Sequence, residues 1–212
     1  MTCGKLLPLQ SSSTERSTAQ ELGVNYELPI FWSRRPNSAV PTRTSVAPQA
    51  MASAKSPLEI MMAANEAVRN TLQKNFFITL IYGVLDSQTG DLSFVRAGHT
   101  PGVLIHERKC KLIKPVGIAL GVERSQDFKV HTEEEKICLD SGDTMVLYTD
   151  GVTDQRDPDG NEFGEERFYD LLNQLSGKTA EEIKGGIIRA LAEFSRGTDA
   201  VDDTTVLILK WK

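Results

Sequence analysis

The chain has 212 residues, of which 40% are apolar, so it is long enough to form one globular domain with a sizeable core. It contains no apolar stretch of the roughly 20 residues that a membrane-spanning helix needs, and its first residues lack the apolar segment of a signal peptide. The formal net charge is −5, and residues 86–212 carry 16 Lys/Arg against 24 Asp/Glu, an acidic balance that disfavours nucleic acid as a partner.

The three cysteines, Cys3, Cys110 and Cys138, are widely spaced and odd in number. They offer neither a disulfide framework nor the close spacing of a metal-binding cysteine motif. We therefore expect a reducing compartment and a cytoplasmic protein.

Residues 1–55 are rich in Ser, Thr and Pro and lack a sustained helical or strand period. Such a composition is typical of a disordered or weakly structured arm. Within it the patch Glu27–Trp32 (ELPIFW) has the composition of a short strand, but the pattern does not favour its docking. The folded domain is therefore predicted to comprise residues 56–212.

A helix is predicted to begin at Ser56. In the stretch SPLE, Ser56 suits the N-cap, Pro57 the first helical position and Glu59 a capping box. An apolar residue then recurs every four positions and forms a stripe that ends near Lys74. The stripe consists of Ile60, Ala64, Val68 and Leu72.

The next segment has the composition of β-structure. NFFITLIYGVLD is a long run of β-branched and aromatic residues, and the turn-like DSQTGD separates it from LSFVRAGHTPGVLI, which predicts a hairpin followed by another strand. Weaker strand signals follow in KCKLI and FKVHTEEEKICL. Ser141–Asp143 marks a turn before TMVLYT, a continuous apolar strand that we expect to be covered on both faces.

Two amphipathic helices and a strand complete the chain. The first helix ends at Ser176-Gly177, the second begins with a capping box from Thr179 to Glu182, and the strand lies in DDTTVLILKWK. The residues predicted to face inward are Phe168, Leu171, Leu172, Leu175, Ile183, Ile187, Leu191 and Phe194. Because the strands arrive as consecutive hairpins and do not alternate with helices, the order predicts an α+β fold with layered antiparallel sheets.

Carboxylates stand at the ends of two of these strands. Asp150 and Gly151 follow VLYT, and Asp202 with Asp203 precedes TTVLIL. If the two strands are antiparallel neighbours, these side chains meet at one edge of the sheet, where Mg²⁺ or Mn²⁺ would relieve their mutual repulsion. Asp-Gly turns and acidic strand caps are also common without a metal, so the spacing alone leaves both readings open.

Several motifs resemble the metal-dependent protein phosphatases (PPM, type 2C), and within them the SpoIIE/RsbU-like bacterial serine phosphatases. The resemblance spans about residues 51–211. It rests on YTDGVTD with the acidic loop after it, NEFGEERF and the terminal DDTTVLILK, and further on SPLEIMMAANEAVRNTL, FITLIYGVLD, LSFVRAGHTPGVLI and PVGIALGV. Several motifs in the right order make the resemblance specific.

The resemblance implies a fold, a chemistry and a site. The fold is a layered β-sandwich flanked by helices, and the reaction is hydrolysis of phosphoserine or phosphothreonine by a water held between two Mg²⁺ or Mn²⁺ ions. Asp150 and Asp202 match metal-ligand positions, Asp203 is the weaker match of the acidic pair, and Gly151 and His99 are accessory positions. The family's substrates are phosphorylated proteins of the anti-sigma-factor-antagonist type.

The sequence also departs from the family pattern. The family's metal-bridging aspartate lies in a glycine-rich segment of the N-terminal half, whereas the first aspartate of this chain is Asp86. We therefore expect a phosphatase domain whose N-terminal part is incomplete and whose catalysis is weak or absent. We also expect uncovered sheet edges that favour self-association. The alternative is a non-catalytic truncated pseudophosphatase that only binds a partner.

Two further readings carry less weight. His99, in RAGHTPG, either shapes the site or closes a turn by hydrogen bonding. The loop DQRDPDGNEFGEE partly fits a calcium loop with Asp157, Asp159 and Glu166 as ligands, but Gln155 stands at its first position, so an ordinary DPDG turn is favoured.

Overall fold

The structure is a computed structural model of the chain. It describes the backbone of residues 26–32 together with residues 56–71, 76–198 and 202–212. The strands are β1 Tyr26–Trp32, β2 Thr79–Leu85, β3 Asp91–Ala97, β4 Gly102–His106, β5 Lys109–Ile113, β6 Glu134–Cys138, β7 Thr144–Tyr148 and β8 Val206–Lys210. The helices are α1 Pro57–Thr71, α2 Ser125–Val130, α3 Gly164–Gln174 and α4 Ala180–Ser195.

The strands form two four-stranded sheets, in the orders β1-β2-β3-β6 and β5-β4-β7-β8. All neighbouring strands are antiparallel. Both sheets are antiparallel, and the helices do not alternate regularly with the strands along the chain. This arrangement confirms the predicted α+β class. Each sheet belongs to its own compact unit, one containing Thr100–Ile113 and Leu139–Lys212, the other the described part of Glu15–His99 with Lys114–Cys138.

The unit with β1-β2-β3-β6 has its core between α1, α2 and one face of the sheet. Helix α1 begins as predicted, since the Ser56 hydroxyl accepts a hydrogen bond from the backbone N–H of Glu59 at 3.3 Å. The predicted stripe is buried at each described position, and Met61 is fully buried beside it. The core consists of Ile60, Met61, Ala64, Val68, Leu80, Tyr82, Val95, Ala97, Leu120 and Phe128.

The unit with β5-β4-β7-β8 has its core between α3, α4 and the alternate side chains of β4 and β7. All five residues of β7 are buried, as the continuous apolar run predicted. The capping box of α4 is present: the Thr179 N–H donates to Glu182 Oε2 at 2.8 Å, and the Glu182 N–H donates to Thr179 Oγ1 at 3.2 Å. This core contains Val103, Ile105, Val146, Tyr148, Val152, Phe163, Phe168, Leu172, Ala180, Ile183, Ile187, Leu191 and Ile208.

Two local predictions need correction. The FKV residues of the weak strand signal FKVHTEEEKICL lie in α2, and only Glu134–Cys138 forms a strand. Within α2 the buried Phe128 packs into the core of its unit, whereas Val130 is exposed, so strand propensity is overridden by one anchoring contact. The patch around ELPIFW forms β1 and pairs along its length with β2. The rest of the predicted arm of residues 1–55 lies outside the described residues.

None of the helices in the described part of the chain has the length and apolar content needed to cross a bilayer.

Candidate metal centre

Strands β7 and β8 are antiparallel neighbours, with Tyr148 opposite Val206. One residue beyond this pair, the Thr149 N–H donates to the Thr205 carbonyl at 3.0 Å. The Thr149 hydroxyl accepts from the Thr205 N–H at 2.9 Å and donates to the Asp203 carbonyl at 3.1 Å. The end of β7 and the segment before β8 are therefore joined by three hydrogen bonds through a single buried threonine. The adjacency on which the sequence argument depended is present.

Gly151 is required by the close approach of these two segments. After Thr149 the chain makes a single 3-10 turn, Asp150–Val152. A Cβ atom on Gly151 would lie 2.5 Å from the Asp203 carbonyl oxygen and 3.3 Å from that of Asp202. The Gly151 carbonyl accepts a hydrogen bond from the Thr204 hydroxyl at 3.1 Å. Only glycine lets the Asp150 turn lie directly on the backbone of the Asp202–Asp203 pair.

The carbonyl of Asp150 is engaged by two donors, but one oxygen of its carboxylate is not. The Asp150 carbonyl accepts from the Asp154 N–H at 2.8 Å and from the Thr153 hydroxyl at 3.1 Å. Its Oδ1 atom is buried and has no hydrogen-bond partner among the described residues. A buried carboxylate oxygen without a donor costs about 1–3 kcal/mol or more, which is the cost that a bound cation removes.

The paired acids are arranged differently. Asp202 and Asp203 are both exposed. Asp202 Oδ1 accepts from the Asp203 N–H at 2.8 Å, which orients the Asp202 carboxylate, and the Asp203 carbonyl is held by Thr149. In the described part of the chain, neither Asp150 nor Asp202 forms an ion pair with a basic side chain.

This donor set fits a hard divalent cation. It combines a buried, unpartnered carboxylate oxygen on a rigid turn with an exposed, oriented carboxylate on the adjacent segment, and Mg²⁺ and Mn²⁺ prefer oxygen ligands of this kind. The exposed side leaves room for the water ligands that Mg²⁺ retains.

His99 lies in the other compact unit, at the turn after β3. His99 is buried, with 5% of its surface exposed. The Arg96 guanidinium donates to the His99 carbonyl at 2.7 Å and to the Pro115 carbonyl at 3.0 Å, so the turn is tied down by its backbone. Burial lowers the pKa of Arg96. These contacts favour the turn-forming reading of His99, and its accessory role stays a prediction.

The loop considered for calcium is an ordinary turn. Asp157 Oδ1 accepts from the N–H groups of Asp159 and Asn161, at 3.0 and 2.8 Å. The Asn161 side-chain amide donates to Asp157 Oδ2 at 3.0 Å. The pKa of Asp157 is lowered, most of all by the Asn161 side-chain amide, so this carboxylate is satisfied by the loop itself.

Asp86, the first aspartate in the sequence, has a local role. Its Oδ1 accepts from the Gln88 and Thr89 N–H groups in the β2–β3 turn, at 2.8 and 3.2 Å. Asp86 is thus a hairpin residue, typical of an Asx turn.

Sequence reasoning did not single out Thr149 and Thr204. Both hydroxyls bond the opposite segment and so fix the spacing between Asp150 and Asp202. The available signal was a threonine directly beside each acidic motif, namely Thr149 in YTDG and Thr204 in DDTT.

Comparison with known sequences places the chain in a family. Residues 38–212 match the family described as Stage II sporulation protein E (SpoIIE). Protein IcfG of Synechocystis sp. is 34% identical over 133 residues, which are 62% of this chain and 20% of that protein. Phosphoserine phosphatase RsbU of Bacillus subtilis is 25% identical over 159 residues, which are 74% of this chain and 45% of that protein. The chain spans less than half the length of these two relatives.

Solved structures show the same fold. The SiaA-PP2C domain of Pseudomonas aeruginosa superposes with a TM-score of 0.67 at 18% identity, covering 89% of this chain and 86% of that chain. The PP2C phosphatase domain of SpoIIE from Bacillus subtilis, solved with a fragment of its regulatory domain, gives a TM-score of 0.61 at 18% identity and covers 76% and 45%.

The fold is therefore that of a PP2C-type phosphatase domain. The chain belongs to the SpoIIE family, within the metal-dependent (PPM-type) phosphatases, which are hydrolases. The family resemblance predicted from the sequence is confirmed, and with it a divalent metal as the family's class of cofactor.

Proposed function

We propose that this chain is a metal-dependent protein serine/threonine phosphatase domain, with Asp150 and Asp202 as ligands of Mg²⁺ or Mn²⁺. The observation that carries the proposal is the buried, unpartnered Oδ1 of Asp150, on a turn fixed against the Asp202–Asp203 backbone. A metal ligand is the simplest reason to keep a carboxylate oxygen dry and without a donor.

The residues of this edge hold and orient the ion. Asp150 is the rigid ligand because its carbonyl accepts two hydrogen bonds, and Asp202 is the adjustable one because it is exposed. Gly151 sets the distance between them, and Asp203 contributes its carbonyl to that packing. When bound, the divalent ion supplies a water of lowered pKa and neutralises phosphoryl oxygens, so no protein nucleophile is needed.

The proposed substrate is a phosphorylated protein of the anti-sigma-factor-antagonist type, encountered in the cytoplasm. Support comes from the SpoIIE family match and from RsbU, a relative named as a phosphoserine phosphatase. The acidic balance of residues 86–212 argues against nucleic acid as an alternative phosphorylated partner.

We further propose that catalysis by this chain is weak. The five acidic residues of positions 1–85 are all glutamates, so no aspartate there can bridge a second ion. Asp150 and Asp202 supply enough carboxylates for one ion only. The same observation favours the second candidate, a pseudophosphatase that binds a phosphorylated partner without turnover.

Hydrolysis of p-nitrophenyl phosphate and of a phosphoserine peptide in Mn²⁺ tests the proposal. We expect slow, Mn²⁺-dependent hydrolysis that Asp150→Asn and Asp202→Asn each abolish. Asp170→Asn is the matched control, since Asp170 is an exposed acid on α3 and the charge change is the same. Equal and measurable rates in Asp150→Asn and Asp170→Asn would refute the assignment.

Calorimetric titration with Mn²⁺ separates the two candidates. One ion per chain, lost in Asp150→Asn and accompanied by hydrolysis, supports the phosphatase. One ion per chain without hydrolysis at any metal concentration supports the pseudophosphatase. Two tight ions per chain would contradict the single-site proposal.

A further inference from the structure

A second group of metal-ligating side chains lies at the opposite end of β7. Strand β7 runs from Thr144 to Tyr148, and five residues of strand span about 17 Å. The turn before the strand contains Asp140 and Asp143, and His106, the last residue of β4, stands beside it. This group is therefore distinct from the edge that carries Asp150.

The three side chains already converge. His106 Nδ1 lies 2.8 Å from Asp143 Oδ1 and 3.9 Å from Asp140 Oδ2. One donor atom from each residue lies within 4.8 Å of the other two. Among the described residues, this is the only group of three His, Cys, Asp or Glu side chains that lie so close together.

These separations are those of ligands around one ion. Two donors bound at about 2.1 Å lie roughly 3.0 Å apart at a right angle, about 3.4 Å apart at a tetrahedral angle and roughly 4.2 Å apart on opposite sides of the ion. The observed 2.8 and 3.9 Å fall close to this range, so a small movement of exposed side chains would complete the geometry.

The buried member of the group is held by the fold. The Asp143 side chain is 5% exposed, and its Oδ2 accepts from the Asp140 N–H at 3.0 Å. The main chain of Asp143 also pairs with Trp211 after β8, whose N–H donates to the Asp143 carbonyl at 2.8 Å. Gly142, with a φ of 96°, allows the sharp turn that returns Asp143 to Asp140. Asp143 is thus an anchored ligand.

The other two members face solvent. The side chains of His106 and Asp140 are 43% and 74% exposed. This side gives an ion a path of entry and space for water ligands. The Lys210 ammonium is a positive charge beside the same turn, since it lies 3.4 Å from Thr144 Oγ1 and 3.5 Å from the Gly142 carbonyl. The charge of Lys210 moderates the affinity for a cation.

We propose that His106, Asp140 and Asp143 form a second metal site, which binds Zn²⁺ or a similar transition-metal ion. An imidazole nitrogen with two carboxylate oxygens is a donor set that favours Zn²⁺ or Co²⁺ over Mg²⁺. Two carboxylates and one neutral imidazole balance the charge of a divalent ion. Bound metal ties the end of β4 to the turn before β7, and so stabilises the sheet that carries Asp150.

Zn²⁺ titration of the full chain tests this site independently of the phosphatase proposal. The parent carries Asp150→Asn and Asp202→Asn, which remove the other candidate ligands. Calorimetry at about pH 8 is appropriate, because a metal must displace a proton from His106, whose pKa the hydrogen bond and charge of Asp143 raise. We expect one Zn²⁺ per chain. Co²⁺ bound in place of Zn²⁺ should give a visible absorption band that shows a nitrogen ligand.

His106→Gln is the test variant, and His131→Gln is its control, since His131 is an exposed histidine. Glutamine retains a hydrogen-bond donor for Asp143, so the variant should fold. Loss of even a neighbouring group costs about 10–100-fold in metal affinity, so removing a direct ligand should cost at least about tenfold. We expect that loss in His106→Gln alone, together with loss of the Zn²⁺-induced rise in Tm. Equal Zn²⁺ affinity in the two variants, or no saturable binding in the parent, would overturn the site.

Discussion

Replacing Gly151 by alanine tests whether the packing of the Asp150 turn against Asp203 sets the candidate metal centre. The added Cβ would lie 2.5 Å from the Asp203 carbonyl oxygen and 2.9 Å from its carbon. Since real Cβ contacts essentially never fall below 3.0 Å, one backbone must move by at least about half an ångström. That movement stretches the 3.1 Å bond from the Thr149 hydroxyl to the same carbonyl beyond hydrogen-bond range.

The energetic cost follows from these two effects. Overpacking of a tight site costs about 1–3 kcal/mol, and loss of one hydrogen bond costs about 0.5–1.5 kcal/mol. We expect Gly151→Ala to lower the free energy of unfolding by about 1.5–4.5 kcal/mol, which is roughly 3–18 °C in Tm for a chain of this size. Mn²⁺ affinity should fall as well, because the distance between Asp150 and Asp202 changes.

Thermal and urea unfolding with and without Mn²⁺ measure both effects. Gly185→Ala is the matched control. Its Cβ would approach only the flexible Arg189 guanidinium, at 3.3 Å, in the interior of α4. Alanine there should stabilise the protein by about 0.5–1 kcal/mol. A Gly151→Ala protein as stable as the parent, with unchanged Mn²⁺ affinity, would refute the packing argument.

Three other predictions concern the unit that carries Asp150. Phe168→Ala should cost about 3–5 kcal/mol in denaturant unfolding, because this fully buried ring packs 4.6 Å from the ring of Tyr148; a loss below about 1 kcal/mol would contradict the proposed core. The Thr179 N–H and hydroxyl lower the pKa of Glu182 below 4.5, so this interaction stabilises the fold at neutral pH and is lost as the pH falls through the folded-state pKa. The acid limb of the pH–stability profile should accordingly be shallower in Glu182→Gln, and identical limbs would contradict the capping box. Burial raises the pKa of Cys110 to about 11, so its rate of alkylation should rise about tenfold per pH unit from pH 8 to 10; a plateau in that range would exclude the raised pKa.

The features that the sequence predicted well are those encoded locally. The capping box at Thr179 and Glu182 depends on residues three positions apart, and it is present. The pairing of β7 with β8 is not local, but both strands are apolar runs bordered by acids, and few other partners suit so buried a strand as β7. The α+β class follows from the same order of elements.

The features that the sequence did not predict depend on distant partners. Strand β1 is specified by its pairing with β2, about fifty residues later in the chain, and its composition alone could not decide this. The hydrogen bond between His106 and Asp143 joins residues 37 positions apart, so nothing in the local sequence marks His106 as part of a cluster. The orphaned oxygen of Asp150 is a property of burial, which no spacing rule reports.

That oxygen links the stability of the domain to its proposed function. Around it the polar groups satisfy one another: the Asp150 carbonyl has two donors, the Gly151 carbonyl has Thr204, and Thr149 bonds three backbone groups. A fold that pairs these backbone groups beside a carboxylate oxygen with no partner among the described residues retains the cost of that atom in the metal-free state, and buried groups left unpaired in this way cluster at functional sites. A cation that removes this desolvation cost gains affinity from it, so metal binding and stability are coupled through Asp150.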